Sequence, residues 1–397
     1  MNYKFSNKVK NLKPSAIREI FKYAKDPQVI SLSAGNPSEE AFPSKAVCEI
    51  SNKILTENPF EALQYNITEG YTHLRNKLKI YMERKHNIGR TFDEIIITSG
   101  AQQAIDILTK TLCNEGDVVI CEEPSFIGAL NTFRSYNTRL VGVPIEDDGI
   151  NIEKLEKVLK SENNVKFIYT IPNFQNPSGI TMNLKKRKLV YDLAKKYGVL
   201  ILEDNPYGDL RYSGECLPSI KSFDEDGLVV YVGSFSKVLS PGMRVGYFIA
   251  EKELAKKMII CKQVSDVHTN IWAQMVTYEF MENYNFDNHL EYLRDLYGEK
   301  LMFTADLLNK YLVNRGVKYN LPNGGLFIWC NLPDEIDMLE FCKKAVLNKV
   351  CVVPGNAFLV HEMNKCKCFR INFSTPSDEQ LERGIMLLAK TIDEMKV

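Results

Sequence analysis

At 397 residues the chain is long enough for two or three compact units, each with a real core, which excludes a short peptide-binding module. Its 50 basic and 50 acidic residues cancel to a formal net charge of +0, so no global field draws it to nucleic acid or an anionic membrane. A composition of 45% hydrophobic and 25% charged residues is that of a globular protein folding throughout, and it favours small-molecule chemistry over an interaction tail.

The opening MNYKFSNKVKNLKP is basic but lacks an apolar core of the signal-peptide kind, and no run approaches the roughly 20 apolar residues of a membrane span. Neither secretion nor membrane anchoring is expected. After this arm, Ser15 can cap a short helix with Ile17, Ile20, Phe21 and Ala24 on one face, and SLSAGNPSEEAFP is turn chemistry. From Lys45 to about Ala250, strand-like apolar runs alternate with helical ones: EIIIT then AQQAIDILTKTLC, DVVICEEP then SFIGALNTFRSY, VKFIYTIP then LKKRKLVYDLAKKYG, and VLILEDNP. That alternation predicts a parallel sheet with helices on both faces, and runs as continuously apolar as VLIL and LVVYV are what strands buried on both sides require. In the basic helix, Leu189, Leu193 and Tyr197 recur at helical spacing with lysines opposite, which predicts a solvated face and not a nucleic-acid patch.

A long helical region is expected from about Glu251 to Leu312, then GGLFIWCNL and FRINFS as strands with one solvated face in a smaller α+β unit. The expected units are an arm with part of the small domain (1–44), a large domain (45–290) and a small C-terminal domain (291–397). The ten cysteines are scattered, as at Cys48, Cys113, Cys261 and Cys330, in the manner of a reducing cytosol, so a cytoplasmic location is expected. His361, Cys366 and Cys368 hint at metal but lack a second CxxC or an HExxH set, so no metal is expected.

In open α/β sheets ligands gather beyond the C-terminal strand ends, and four such ends carry chemistry. Ser99-Gly100-Ala101-Gln102 opens a helix whose first N–H groups suit a phosphate. Asn176-Pro177 is a turn that leaves an amide able to donate into the crevice; by itself the motif favours a plain turn. Asp204 emerges from a buried strand, where a carboxylate needs a cation, a cap role or donors. Ser234, Ser236, Lys237 and Arg244 bring two hydroxyls, an amine and a guanidinium to one strand end. Together with Tyr207, these groups are what pyridoxal 5′-phosphate requires.

In SLSAGNPSEEAFP, ALQYNITEGYTHLR, EEPSF, NPSG, EDNPYGDLRY, GSFSKVLSPGMRVGY, GGLFIW and FRINFS, taken in order, the chain resembles the fold-type I PLP-dependent aminotransferases of class I/II, in their kynurenine/2-aminoadipate branch. The resemblance implies an α/β fold with a large, mostly parallel seven-stranded sheet domain and a smaller α+β domain. It implies that Lys237 forms the Schiff base and shuttles the proton, that Asp204 pairs with the ring nitrogen, and that Tyr207 and Asn176 bind the phenolic oxygen. Ala101, Gln102, Ser234, Ser236 and Arg244 would surround the phosphate, and Phe126 would lie on the ring face. Tyr65 resembles the tyrosine that reaches the neighbouring subunit's phosphate, which implies a homodimer. Gly35, Asn176 and Arg370 would hold the substrate carboxylate.

Two positions depart from the family pattern: Phe126 loses a tyrosine hydroxyl, and Asn36 stands where relatives often have a smaller residue. The implied reaction moves an amino group from an L-amino acid to a 2-oxo acid, 2-oxoglutarate, by a ping-pong route. A PLP-dependent C–S β-lyase would share the first proton abstraction. A PLP-binding regulatory domain would need a DNA-binding module, and only about 30 residues precede SLSAG.

Overall fold

The computed structural model describes residues 3–10 and 28–396; the helix predicted after Ser15 lies outside the described residues. Strand β1 (Ile30–Ser31) precedes the main sheet, which is built from β2 (Asp93–Thr98), β3 (Val118–Glu123), β4 (Arg139–Glu146), β5 (Gly149–Ile150), β6 (Val165–Thr170), β7 (Leu200–Asn205), β8 (Val229–Ser234) and β9 (Gly246–Glu251). Their order is β2-β9-β8-β7-β6-β3-β4-β5, with β3, β4, β6, β7 and β8 parallel and β9 antiparallel to both neighbours. The seven strands expected are joined by an eighth, the two-residue β5, which the Asp147–Asp148 turn folds back antiparallel on β4.

The continuously apolar strands are buried on both faces. Ile96, Phe167, Leu202 and Val230 pack with helices Ala101–Leu112, Ile127–Ser135 and Lys252–Asp266. Ile120, Ile168, Ile201 and Val229 pack with helices Ile152–Ser161 and Leu184–Tyr197. In the latter helix the expected Leu189–Leu193–Tyr197 stripe is buried at Leu193 and half-buried at Leu189 and Tyr197, and the buried face extends round to Lys186, Arg187, Val190, Tyr191 and Ala194. Arg187 turns inward because four oxygens meet it, the carbonyls of Met182, Pro172 and Pro218 and Oδ1 of Asn173. The expected solvated face therefore holds for Lys185, Lys188, Lys195 and Lys196 but not for Lys186 or Arg187.

The region expected to be one helical stretch is three helices, Lys252–Asp266, Ile271–Asn283 and Phe286–Tyr311. Asn270 and Asn285 start the second and third by accepting from Ala273 and Asn288 N–H. A small antiparallel sheet follows, from β10 (Lys318–Tyr319), β11 (Phe327–Asn331), β13 (Val353–Pro354) and β14 (Cys368–Asn372), in the order β10-β11-β14-β13; β12 (Val350–Cys351) pairs separately and in parallel with β1. The solvated face expected here is absent from β14. Phe369 and Ile371 face the core, and Arg370 and Asn372 are also buried, because the 32–36 segment covers the second face through Asn372 N–H to Leu32 O and Ser374 Oγ to Asn36 O. Among the described residues, no helix is long and apolar enough to cross a membrane.

Candidate active site

The C-terminal ends of β2, β6, β7 and β8 open on one cavity of about 370 Å³. The antiparallel β9 begins at the same end, Gly246 standing opposite Thr98. Its wall contains every residue to which the resemblance gives a role in the site except Tyr65: Gly35, Ala101, Gln102, Phe126, Asn176, Asp204, Tyr207, Ser234, Ser236, Lys237, Arg244 and Arg370. Tyr65 is 80% exposed and lies in a separate surface groove of about 710 Å³, edge-on to the His268 ring.

On one side of the cavity the loop after β2 turns at Gly100 (φ +83°) into helix Ala101–Leu112. A Cβ at Gly100 would collide with the Arg244 guanidinium, so glycine allows that cation to lie against the helix start. Arg244 is tied there through Ser99 O and Pro241 O and has no carboxylate partner among the described residues. Gln102 is held by its amide to Gly128 O and Thr132 Oγ1. Ser236 N–H donates to Ser234 Oγ. A helix N-terminus, two hydroxyls and an unpaired arginine form an anion cup.

Asp204, at the end of β7, is 2% exposed, and its two oxygens differ. Oδ2 accepts from the Tyr169 hydroxyl at 2.8 Å, whereas Oδ1 is buried without a partner. Burial raises this carboxyl to about 7, Tyr169 opposes the rise, and the nearby Glu122 carboxylate adds to it. Glu122 is itself buried on β3, accepting from Thr170 Oγ1 and Ile171 N–H. An orphaned carboxylate oxygen in this setting fits a protonated ring nitrogen, a cation that would return the carboxyl to its ionised form.

The sequence marks Tyr169 only as part of an apolar strand run; nothing in VKFIYTIP distinguishes its hydroxyl until β6 is paired beside β7. We expect Tyr169→Phe to move the Asp204 protonation midpoint of the cofactor-free protein up by about one to two pH units, the value of a hydrogen bond to a charged group. Isotope-edited infrared of the carboxyl band would read it, and an unmoved midpoint would remove Tyr169 from this role.

Lys237 follows β8 and donates from Nζ to Gly35 O at 2.7 Å. Burial, with the positive charges of Arg370 and Arg244, lowers its ammonium to about 8, so a neutral, nucleophilic amine is accessible near physiological pH. Tyr207 is buried and touches the Asn176 amide; burial is the main cause that pushes its phenol well up, so it stays protonated. Arg370 is only 6% exposed. It donates to Asn176 Oδ1 at 2.7 Å and Ser33 O at 2.8 Å, and its plane lies on the Phe327 ring at 3.9 Å and faces Phe358 at 5.0 Å. Burial lowers it to about 10, which still leaves it charged, yet among the described residues it has no carboxylate partner, and its Nε is unbonded. A buried, oriented guanidinium without a counter-ion is a carboxylate receptor. The strand pattern marks Arg370 as the off-core residue but not its two ring contacts, since Phe327 and Phe358 come from other elements.

Comparison with known proteins places this architecture. The family profile "Aminotransferase class I and II" matches residues 27–388. The aromatic-amino-acid aminotransferase 1 of Thermococcus litoralis is 40% identical over 99% of this chain and 95% of its own length. The 2-aminoadipate transaminase of Thermus thermophilus is 34% identical over 96% of this chain and 94% of its own. Among solved structures, Pyrococcus horikoshii kynurenine aminotransferase superposes with a TM-score of 0.94 at 36% identity, covering 98% of this chain and 97% of that one. The chain belongs to the class I and II aminotransferases. Its reaction is amino-group transfer, and its cofactor is pyridoxal 5′-phosphate.

Proposed function

We propose that the enzyme takes the amino group of an aromatic or 2-aminoadipate-like L-amino acid and passes it to 2-oxoglutarate by a ping-pong route. The observation that carries this reading is the coexistence, in one cavity, of an orphaned Asp204 oxygen, a counter-ion-free Arg370 and a depressed Lys237 amine. The different substrates in the relatives' names support a broad donor range.

When bound, the cofactor supplies an electron sink that makes the substrate's Cα–H bond acidic. Asp204 Oδ1 would hold the protonated ring nitrogen, Tyr207 and Asn176 the phenolic oxygen, and Phe126 the ring face. Ala101, Gln102, Ser234, Ser236 and Arg244 would hold the phosphate. Arg370, with Asn176 and the Gly35 backbone, grips the substrate carboxylate and so fixes which bond at Cα faces Lys237. Lys237 Nζ would anchor the cofactor, and its neutral amine would take the Cα proton.

The wider expectations belong to the same proposal. The exposed Leu55 and Leu63 line the same groove as Tyr65, apolar surface that supports a homodimer in which Tyr65 reaches the phosphate site of a second copy. Scattered thiols support a cytoplasmic location. The units 1–44, 45–290 and 291–397 remain the working division, with the 26-residue helix Phe286–Tyr311 running unbroken through its second boundary.

The test is to add single amino acids, without oxo acid, to the cofactor-loaded protein. Loss of the yellow absorbance with one equivalent of 2-oxo acid per site is expected. Ammonia and pyruvate from a cysteine conjugate would replace this reading by the lyase, and an unchanged spectrum with every donor would point to a regulatory domain.

A further inference from the structure

Cys366 and Cys368 flank one residue where the chain enters β14, and both are partly exposed. Two residues of chain span at most about 7 Å, the upper edge of the Cα separation a disulfide tolerates. A Cβ on Gly355 would meet both the Cys366 sulfur and the Cys368 carbonyl oxygen at 2.5 Å, so the Cys366 sulfur lies beside the Cys368 backbone. The Cys368 thiol donates to Asn331 Oδ1 at 2.7 Å. Among the described residues no three His, Cys, Asp or Glu groups converge to hold a metal, so His361 does not complete a site with this pair.

The surroundings join the pair to the substrate arginine. The Cys366 sulfur packs on Gly355 so closely that a Cβ there would overlap it, and Gly355 opens the turn Gly355–Phe358. Phe358 faces the Arg370 guanidinium and packs edge-on to Trp329, which stands opposite Arg370 in the β11–β14 register. Cys368 and Arg370 are alternate residues of β14 and share a face.

We propose that Cys366 and Cys368 form a thiol–disulfide exchange site that takes small-molecule disulfides of the glutathione class as oxidant. The Cys366 thiolate attacks one sulfur of the small disulfide and expels one small thiolate, leaving a mixed disulfide. Cys368 then loses its proton and attacks the Cys366 sulfur, expelling the second small thiol. Two protein thiols are oxidised to one disulfide while one small disulfide is reduced to two thiols.

The order follows from the environment: hydrogen bonds from Cys368 hold the Cys366 thiol below the usual range against burial and the Glu123 carboxylate, whereas Cys368 is pushed well up. Burial raises the thiols of Cys113, Cys121, Cys330 and Cys342. A ring closed over so short a span is strained and easily reduced, so the bond would act as a reversible modification and not as a staple.

The test uses the full-length protein in oxidised-glutathione buffer, with thiols counted by alkylation after denaturation. The ten thiols of the reduced chain should fall by two, both mapping to Cys366 and Cys368, and return with dithiothreitol. Cys368→Ser should retain glutathione on Cys366, and Cys366→Ser should retain none on Cys368. Ten unchanged thiols, losses mapping to other cysteines, or equal adducts in both variants would overturn the proposal. Its link to the substrate rests on the Arg370 reading: the oxidised enzyme should show a severalfold higher KM for the amino acid with kcat within about twofold. A formed disulfide with KM unchanged would sever that link while leaving the exchange site standing.

Discussion

Lys237→Ala is expected to lower turnover by roughly 10⁴-fold or more, because one substitution removes both the covalent anchor and the base that takes the Cα proton. The Asp204 oxygen, the Arg244 cup and the Phe126 face are untouched, so the variant should still bind pyridoxal 5′-phosphate, now without a borohydride-fixed bond. In the parent protein the rate of covalent capture should climb with pH and level off above about 8, since only the neutral amine attacks and burial places its titration there. Near-parental turnover, or borohydride fixation at another lysine, would remove Lys237 from the centre of the mechanism.

Asp204→Asn should slow the reaction by roughly 10²–10³-fold, the usual loss when a preorganised charge facing the reacting system is neutralised. A second consequence separates a functional charge from a structural one. The folded carboxyl sits at about 7 against an ordinary 3.8, so the folded cofactor-free protein holds its proton longer than the unfolded chain does. This contribution to stability is therefore fully present below pH 3.8 and is lost as pH rises to about 7. Glu122, raised by burial in the same direction, remains in both proteins, so the difference between them reports Asp204.

At pH 8 without cofactor the Asn variant should accordingly be more stable than the parent, by an amount on the order of a few kcal/mol. Adding cofactor should reverse the ranking, because the ring cation compensates Asp204 and has nothing equivalent to meet in the variant. If the variant is less stable than the parent with and without cofactor, Asp204 holds the fold together rather than serving the ring.

Much of this molecule was written in local pattern. Continuous apolar runs ending in Ser99, Asp204 and Ser234 announced strands buried on both faces, and the residues just beyond them line the cavity, because a parallel sheet brings its C-terminal strand ends to one edge. The alternation in FRINFS likewise separated Arg370 from Phe369 and Ile371, since the strand period is two whatever the sheet packs against. Where pattern failed, a distant element intervened. Arg187 reads as a solvated helix charge but is buried, because carbonyls from residues 172, 182 and 218 converge on it.

β14 reads as half-solvated but is covered by the 32–36 segment. The hydroxyl that supports Asp204, the rings against Arg370 and the contact between the Cys366 sulfur and Gly355 likewise join residues 35, 43 or 12, and 11 positions apart. Residue type and spacing thus determined which groups reach the sheet edge. Only the packed chain decided their charge states and partners, because burial and counter-ions are properties of what folds over a residue and not of its neighbours in sequence.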